Sequence, residues 1–428
     1  MDVQLSIKKG VLVFDFNCDT DDGKFNEKIK MNEKSFFVKL QKGTKIEDIH
    51  PDHLGLAIIL AVNPFVGSVL RLPFPVSEQF LQSTRLISRY SVHCEEGLVQ
   101  PYVASNESRP GLSFSGGADS TASLLLMPEN TVAVFMDRPL KFGASLYNKS
   151  AAYQTIKHAN DLGYESKIVE CNLEYLRSPL GFPNDLSPAV PLILLSSILD
   201  LDCVAFGTVL ESAYRVGHEN SRDYPRSGHY RVWGGIFSAA GIPLYLPVAG
   251  ISEVGTSQIV QSSSFKDYTR SCIRGKWPDS CKNCWKCFRK ELVENRLLGI
   301  DLSNEQMNHW VNVKEVKKKL SAWPISHENV LSWSLQGSNS SGYISEILLS
   351  RLEGISRNMD FLERWFPESI EVVPKKYRDT TMSKISKFMG SMLDEERPQV
   401  TNHSMSGWLS STKAQNSKEE FERFLNSI

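Results

Sequence analysis

A short glycine-containing string near the middle of the chain has the residue types that phosphate binding requires. Residues 115–120 have the sequence Ser-Gly-Gly-Ala-Asp-Ser and lie between a short apolar run and a predicted helix. Glycine lets the backbone approach an anion closely, and the first amides of a helix carry a partial positive charge. We interpret the string as a phosphate-binding turn. The alternative is an ordinary strand-to-helix turn in which Asp119 caps the helix.

Side chains in this turn would complete a phosphate-binding site. The hydroxyls of Ser115 and Ser120 are predicted to donate to phosphate oxygens, whereas Asp119 is negative and is expected to hold Mg²⁺ or to cap the helix. Asp119 and Ser120 are therefore also candidates for catalysis. The predicted nucleotide contacts of the turn are Ser113, Ser115, Gly116, Gly117, Asp119 and Ser120.

Two further charged residues follow predicted strands. Arg138 ends the second strand of the region, and Glu211 follows the fourth. Ligands of open parallel sheets bind at the carboxyl ends of the strands, so both side chains are expected near the phosphates. We predict a catalytic role for Arg138, with a surface ion pair as the alternative. Glu211 is predicted to bind metal or a substrate amine, with a solvated loop carboxylate as the alternative.

Four cysteines have the spacing of a metal site. Cys272, Cys281, Cys284 and Cys287 follow the pattern C-x8-C-x2-C-x2-C. Four thiolates at tetrahedral distance suit Zn²⁺, and a zinc site without an open position is structural. Thiol redox chemistry is the alternative, but a redox pair does not need four thiols. The spacing therefore predicts a structural zinc knuckle.

Alternating strands and helices are predicted to position these groups. Four apolar, β-rich runs begin near residues 112, 131, 165 and 203, and helical patterns separate them. Strands spaced by helices of this length indicate an α/β fold with a doubly wound parallel sheet. At 428 residues the chain is too long for one average domain. We predict an N-terminal β/α region (1–108), the α/β domain with the knuckle (109–300) and a helical C-terminal region (301–428).

The string at 115–120 matches every fixed position of the SGGxDS signature of the PP-loop ATP pyrophosphatases. This resemblance implies the adenine nucleotide alpha hydrolase-like fold, with ATP and Mg²⁺ bound at the turn. It also implies cleavage of ATP between the α- and β-phosphates to give an adenylate. No Gly-Lys-Ser/Thr follows the glycines. Hydrolysis at the γ-phosphate, for which a Walker-type loop is built, is therefore not expected.

With its cysteine spacing, the segment 111–298 resembles 7-cyano-7-deazaguanine synthase of the queuosine pathway. The resemblance implies a second nucleotide-contacting loop after the fourth strand, which is here Gly207 to Ser212 and includes Glu211. The chain departs from the family where Arg226 follows Tyr224-Pro225 in place of an aspartate. The flanks are too long for the small biosynthetic enzyme, and larger relatives of this family occur in bacterial anti-phage systems. That similarity implies a small-molecule acid or deazaguanine substrate and a protein acceptor.

The net charge and the hydropathy of the chain bear on its function class and its cellular location. A formal net charge of −1 argues against a broad nucleic-acid-binding surface. A tRNA-modifying thiolase or ligase of the same superfamily is therefore the second hypothesis, and a non-catalytic nucleotide-sensing protein is the third. The start of the chain does not have the pattern of a signal peptide, and its longest apolar run is too short to span a bilayer. We expect a cytoplasmic protein without a membrane partner.

Overall fold

The structure is a computed structural model that describes residues 1–140, 147–336 and 342–427. Its strands form two five-stranded sheets and a two-stranded ribbon. The strands are β1 (Asp2–Lys8), β2 (Val11–Asn17), β3 (Lys30–Met31), β4 (Ser35–Lys39), β5 (Val69–Leu72), β6 (Ser91–Cys94), β7 (Arg109–Ser113), β8 (Val132–Asp137), β9 (Glu165–Glu170), β10 (Arg177–Ser178), β11 (Leu201–Ala205) and β12 (Leu244–Tyr245).

Helices of very different length connect and cover these strands. They are α1 (Pro51–Val62), α2 (Glu78–Ser83), α3 (Ala118–Leu126), α4 (Ser150–Asp161), α5 (Val190–Leu195), α6 (Leu210–Ala213), α7 (Gly228–Ala239), α8 (Glu253–Gln261), α9 (Trp285–Leu297), α10 (Asn304–Asn312), α11 (Lys314–Leu320), α12 (Glu328–Gln336), α13 (Tyr343–Ser350), α14 (Arg378–Ile385), α15 (Pro398–Thr401), α16 (Ser406–Leu409) and α17 (Thr412–Ser427). Eight short 3₁₀ turns add to them in the described residues, four of which lie between α13 and α14.

The central sheet confirms the predicted parallel α/β architecture. Its strand order is β12-β11-β7-β8-β9, and every pairing is parallel. Alternate residues of β8 pack into different layers. Val132 and Val134 share a core with α5, whereas Ala133 and Phe135 share one with α3 and α4. Helices therefore cover both faces, which explains why β8 is a continuous apolar run.

The N-terminal region is a mixed sheet that packs against the central sheet's helices. Its strand order is β4-β2-β1-β5-β6, and β1, β2 and β4 pair antiparallel. The inward residues Leu12, Phe14 and Phe16 are buried in the same core as helices α1 and α5. Helix α1 begins with Pro51, a position that suits proline because the first helical amide needs no partner.

The C-terminal region is helical, as predicted, and its residues pack into two different hydrophobic cores. Helices α10 to α13 and α17 share a core with the cysteines, in which Phe288 and Trp310 are central. Residues 359–400 instead return to the core of the central sheet. Side-chain packing therefore crosses both predicted region boundaries, and the division into three domains stays a prediction. Among the described residues, no helix combines the length and apolar character that crossing a membrane requires.

Candidate nucleotide site and metal site

The residues of the predicted turn connect the central strand of the parallel sheet to a helix. Strand β7 lies between β8 and β11, so its carboxyl end is the point where the connections diverge to the two halves of the sheet. In open α/β sheets, ligands bind in the crevice at this switch point. The strand, glycine turn and helix α3 occur there in the order that the sequence predicts.

The backbone conformation of the turn and its close packing against Ala152 require glycine at position 116. Gly116 has a φ of +73°, and a Cβ at this residue would lie 3.1 Å from the Cα of Ala152. Gly117 is the N-cap of α3 and has no side chain to accept a hydrogen bond from the first helical turn. The Ala118 amide donates to Ser271 Oγ at 3.3 Å. The other amides of the first turn of α3 have no intrahelical acceptor, which suits an anion.

The two serine hydroxyls of the turn contact each other. Ser115 Oγ and Ser120 Oγ are 3.0 Å apart, and Ser120 Oγ donates to the Gly117 carbonyl at 3.1 Å. Ser120 is buried, whereas Ser115 is exposed. In this arrangement Ser120 braces the turn, and Ser115 presents its hydroxyl to solvent.

A cleft of about 160 Å³ lies beside the turn. Three of its lining residues are basic, and none of its described lining residues is a carboxylate. Aromatic and apolar side chains form much of the remaining wall, a combination that suits a purine with an anionic tail. The lining residues are Ser113, Phe114, Ser115, Gly117, Phe135, Met136, Arg138, Tyr147, Asn148, Ala151, Ala152, Phe182, Pro188, Arg270, Ser271, Cys272, Ile273 and Lys286.

Arg138 lies in the cleft and is also ion-paired. Its Nη1 donates to Glu174 Oε2 at 2.9 Å. The guanidinium carbon lies 3.8 Å from the centroid of the Tyr147 ring, a cation–π distance. The ion pair is largely buried and does not lie on the surface, and it fixes a cation that lines the cleft. A catalytic role for Arg138 stays a prediction.

Asp119 and Gly207 meet at the start of α3. A Cβ at Gly207 would lie 2.8 Å from both the carbonyl carbon of Asp119 and the Ser120 nitrogen, so only glycine fits without a shift. The Asp119 Oδ1 accepts a hydrogen bond from Thr256 Oγ1 at 2.8 Å. The loop after β11 therefore packs against the turn. That this loop contacts a nucleotide stays a prediction. The residues that line the cleft do not include four of the predicted nucleotide contacts, Gly116, Asp119, Ser120 and Gly207.

Glu211 does not reach the cleft. It is buried, with Oε2 accepting from the Glu253 amide at 3.0 Å and Oε1 accepting from Asn329 Nδ2 at 2.9 Å. Burial raises the pKa of Glu211 to about 7, and the negative charge of Glu253 contributes to the shift. In this structure the carboxyl group links the loop after β11 to helix α12.

The sequence analysis missed a buried charge cluster next to Glu211. Glu253 Oε1 lies 3.2 Å from Arg289 Nη2 and 3.2 Å from Lys290 Nζ. Burial would raise the pKa of Glu253, but the positive charges of Lys290 and Arg289 outweigh burial and hold it well below its usual range. Helix α8 thus contacts Asp119 through Thr256 and joins α9 through Glu253.

The four predicted metal ligands come together. The Sγ atoms of Cys281 and Cys287 are 3.7 Å apart, those of Cys284 and Cys287 are 3.5 Å apart, and all four lie within 4.8 Å of one another. Four sulfurs bound tetrahedrally at a Zn–S distance of about 2.3 Å would be separated by about 3.8 Å. The cluster therefore fits one four-coordinate metal ion.

Backbone amides also point at the sulfurs. Gly275 and Arg274 donate to Cys272 Sγ at 3.3 and 3.4 Å, and the Cys287 amide donates to Cys284 Sγ at 3.4 Å. Such hydrogen bonds favour the thiolate form that metal binding requires. Cys284 is also the N-cap of α9, so the metal ligands and the helix share one turn of chain.

Part of the chain is similar to one protein family. Residues 232–404 match a family of unknown function (DUF6395), and this match includes the cysteines, Glu253 and Asn329 but not the turn at 115–120. No curated protein matches the chain. The U34-tRNA thiolase NcsA from Methanococcus maripaludis with its [4Fe-4S] cluster is 17% identical, with a TM-score of 0.28, over 50% of this chain and 73% of that chain.

Proposed function

We propose that this chain has a PP-loop, adenine nucleotide alpha hydrolase-like domain that binds ATP in the cleft and uses it to adenylate an acid. The observation that carries the proposal is the composition of the cleft. It combines the glycine-capped start of α3 with Arg138, Arg270 and Lys286 and has no carboxylate among its described lining residues. A triphosphate is the common metabolite group that such a set of donors and cations suits.

The apolar part of the lining supports the choice of a nucleotide over a free polyphosphate. Phe114, Phe135, Tyr147 and Phe182 present aromatic surface to the same cleft that holds the basic residues. Flat aromatic ligands gain from burial against such side chains. A purine and its phosphates would then occupy one continuous site.

Adenylation is the chemistry that the turn favours. An oxygen of the acid's carboxylate attacks the α-phosphorus, the bond from that phosphorus to the bridging oxygen breaks, and pyrophosphate leaves. An amine or ammonia then attacks the acyl carbon and releases AMP. No lysine follows Gly117 in the Walker position, so the turn lacks the group that serves γ-phosphate transfer.

We also propose binding sites for two metal ions. Asp119 has a second carboxylate oxygen, Oδ2, with no hydrogen-bond partner in the described part of the chain, and it would hold Mg²⁺. Bound Mg²⁺ supplies charge neutralisation at the phosphates. For the four cysteines we propose Zn²⁺, because all four ligands are sulfur and their spacing fits a single ion.

The substrate class rests on the sequence resemblance alone. We propose a small acid of the deazaguanine type and a protein as the acceptor. Arg226, which replaces the family's aspartate, is ion-paired with Glu371 at 3.0 Å and with Asp223 at 3.4 Å on the surface. Base recognition by an aspartate at this position is therefore not part of the proposal.

Acid-dependent release of AMP is the first expected result. The protein is incubated with ATP and Mg²⁺, and AMP is quantified by chromatography after addition of carboxylated deazaguanines, other small acids or bulk tRNA. We expect AMP to accumulate only with an acid, and faster when ammonia is present. Stimulation by tRNA without an acid would favour the thiolase or ligase hypothesis. Nucleotide binding with no AMP under any condition would favour the sensor.

A further inference from the structure

One wall of the cleft is built by the cysteine segment, which we define as residues 270–287. Five of its residues line the cleft, including Cys272 and Lys286. Lys286 lies between Cys284 and Cys287 in the sequence, so a metal ligand stands on each side of it. The position of its backbone is therefore tied to the geometry of the metal site.

Lys286 differs from the other two basic side chains of the cleft. Arg138 is paired with Glu174, and the guanidinium of Arg270 donates to backbone carbonyls, including that of Pro278 at 2.8 Å. Lys286 has neither a hydrogen bond nor an ion pair within the described ranges, although it is half-buried. Its charge interacts with the Glu253 carboxylate at longer range, and a phosphate in the cleft would give the ammonium group a direct partner.

We propose that Lys286 binds the phosphates of the nucleotide and that the metal ion on the four cysteines holds it in place. This inference rests on the proposed function, since it assigns a ligand within the same cleft. A lysine on a flexible stem suits phosphate as a compact point charge. Metal loss would release the cysteine segment, so nucleotide affinity should depend on metal occupancy.

Helix α9 provides a second structural connection between the metal site and the nucleotide site. The helix starts at Trp285, is capped by Cys284, and is anchored to α8 by the ion pairs of Glu253. Helix α8 in turn holds Asp119 through Thr256. The metal site and the phosphate-binding turn are therefore connected by buried contacts as well as by their shared cleft.

Calorimetric binding of the non-hydrolysable analogue α,β-methylene-ATP tests the assignment. Lys286→Ala should weaken binding about 10- to 100-fold, the usual effect of losing a charge-assisted hydrogen bond. Lys286→Arg, which keeps the charge, should recover part of the affinity. The matched control is Lys276→Ala, an exposed lysine of the same segment outside the cleft, and it should bind like the wild type.

Metal content is measured on each variant so that binding is compared at equal occupancy. Unchanged affinity in metal-replete Lys286→Ala, or in Lys286→Gln where the alanine variant does not fold, would overturn the assignment while leaving ATP binding intact. Failure of the wild type to bind the analogue would overturn the proposed function as well. Removal of metal with a chelator should abolish binding, and added Zn²⁺ should restore it. A metal-free, folded protein that binds normally would overturn the metal dependence.

Discussion

Asp119→Asn is expected to lower AMP formation roughly 100-fold or more while the protein stays folded, a loss comparable with removal of one preorganised electrostatic group. The substitution removes a charge at nearly constant volume. The retained side-chain oxygen of asparagine can still accept the hydrogen bond from Thr256, now 2.8 Å from Asp119 Oδ1. The loss should therefore appear in turnover and not in thermal stability.

The control for this variant is Asp161→Asn at the end of α4. Asp161 is exposed, and within the described ranges its one ion pair is with Lys157 at 3.1 Å, one helical turn away. It should retain wild-type turnover. Steady-state assays of AMP and a thermal melt of both variants provide the measurement. Full activity in folded Asp119→Asn would show that the Asp119 carboxylate is not required for catalysis.

Cys284→Ser is expected to abolish metal binding and unfold the cysteine segment. The purified wild type should contain about one Zn²⁺ per chain, and this variant should contain none. Structural zinc contributes about 10–16 kcal/mol to the folding of small zinc domains. The core around the cysteines also includes Trp285, Phe288 and Trp310, so the adjacent C-terminal helices should be destabilised too.

Elemental analysis and limited proteolysis measure this effect. Cys94→Ser is the control, because Cys94 is a partly buried cysteine far along the chain from the cluster. It should keep the metal and the wild-type digestion pattern. A metal-replete Cys284→Ser variant with unchanged proteolysis would contradict a four-cysteine site.

Local sequence signals were sufficient for the elements around the turn. The parallel strands, the start of α3 and the clustering of the cysteines all follow from short-range patterns. The N-terminal hairpin was harder to predict, because residues 5–16 form a single β-rich run. The chain reverses at Lys9 and Gly10, with φ values of +54° and +81°. The alternation of apolar residues continues on both sides and obscures that turn.

Long-range contacts explain where sequence-based prediction failed. The amphipathic pattern of residues 343–365 is typical of a continuous helix, but α13 ends at Ser350. Farther on, the Gly354 amide donates to buried Glu328 Oε1 at 2.7 Å, and a Cβ on Gly354 would lie 2.6 Å from Ser332 Oγ. Packing against α12 therefore decides the conformation of this segment, and no local propensity reveals it.

Long-range packing also explains which contacts of the candidate site could not be predicted from the sequence. The Glu253–Arg289 ion pair joins residues 36 positions apart, and it depends on how α8 packs against α9. Sequence spacing carries no signal for such a pair. The burial of Glu211 against Asn329 is likewise set by the C-terminal region, which a strand-by-strand analysis of the α/β domain does not include.

The bond of ATP that is broken tests the central claim most directly. Products formed from ATP, Mg²⁺ and the stimulating acid are identified by ³¹P NMR, with mass spectrometry of the nucleotide. The account predicts AMP and pyrophosphate in equal amounts, formed only when the acid is present, because the turn lacks a Walker lysine and the cleft lies at the carboxyl end of β7. ADP and inorganic phosphate, formed at a rate indifferent to any acid, would contradict it.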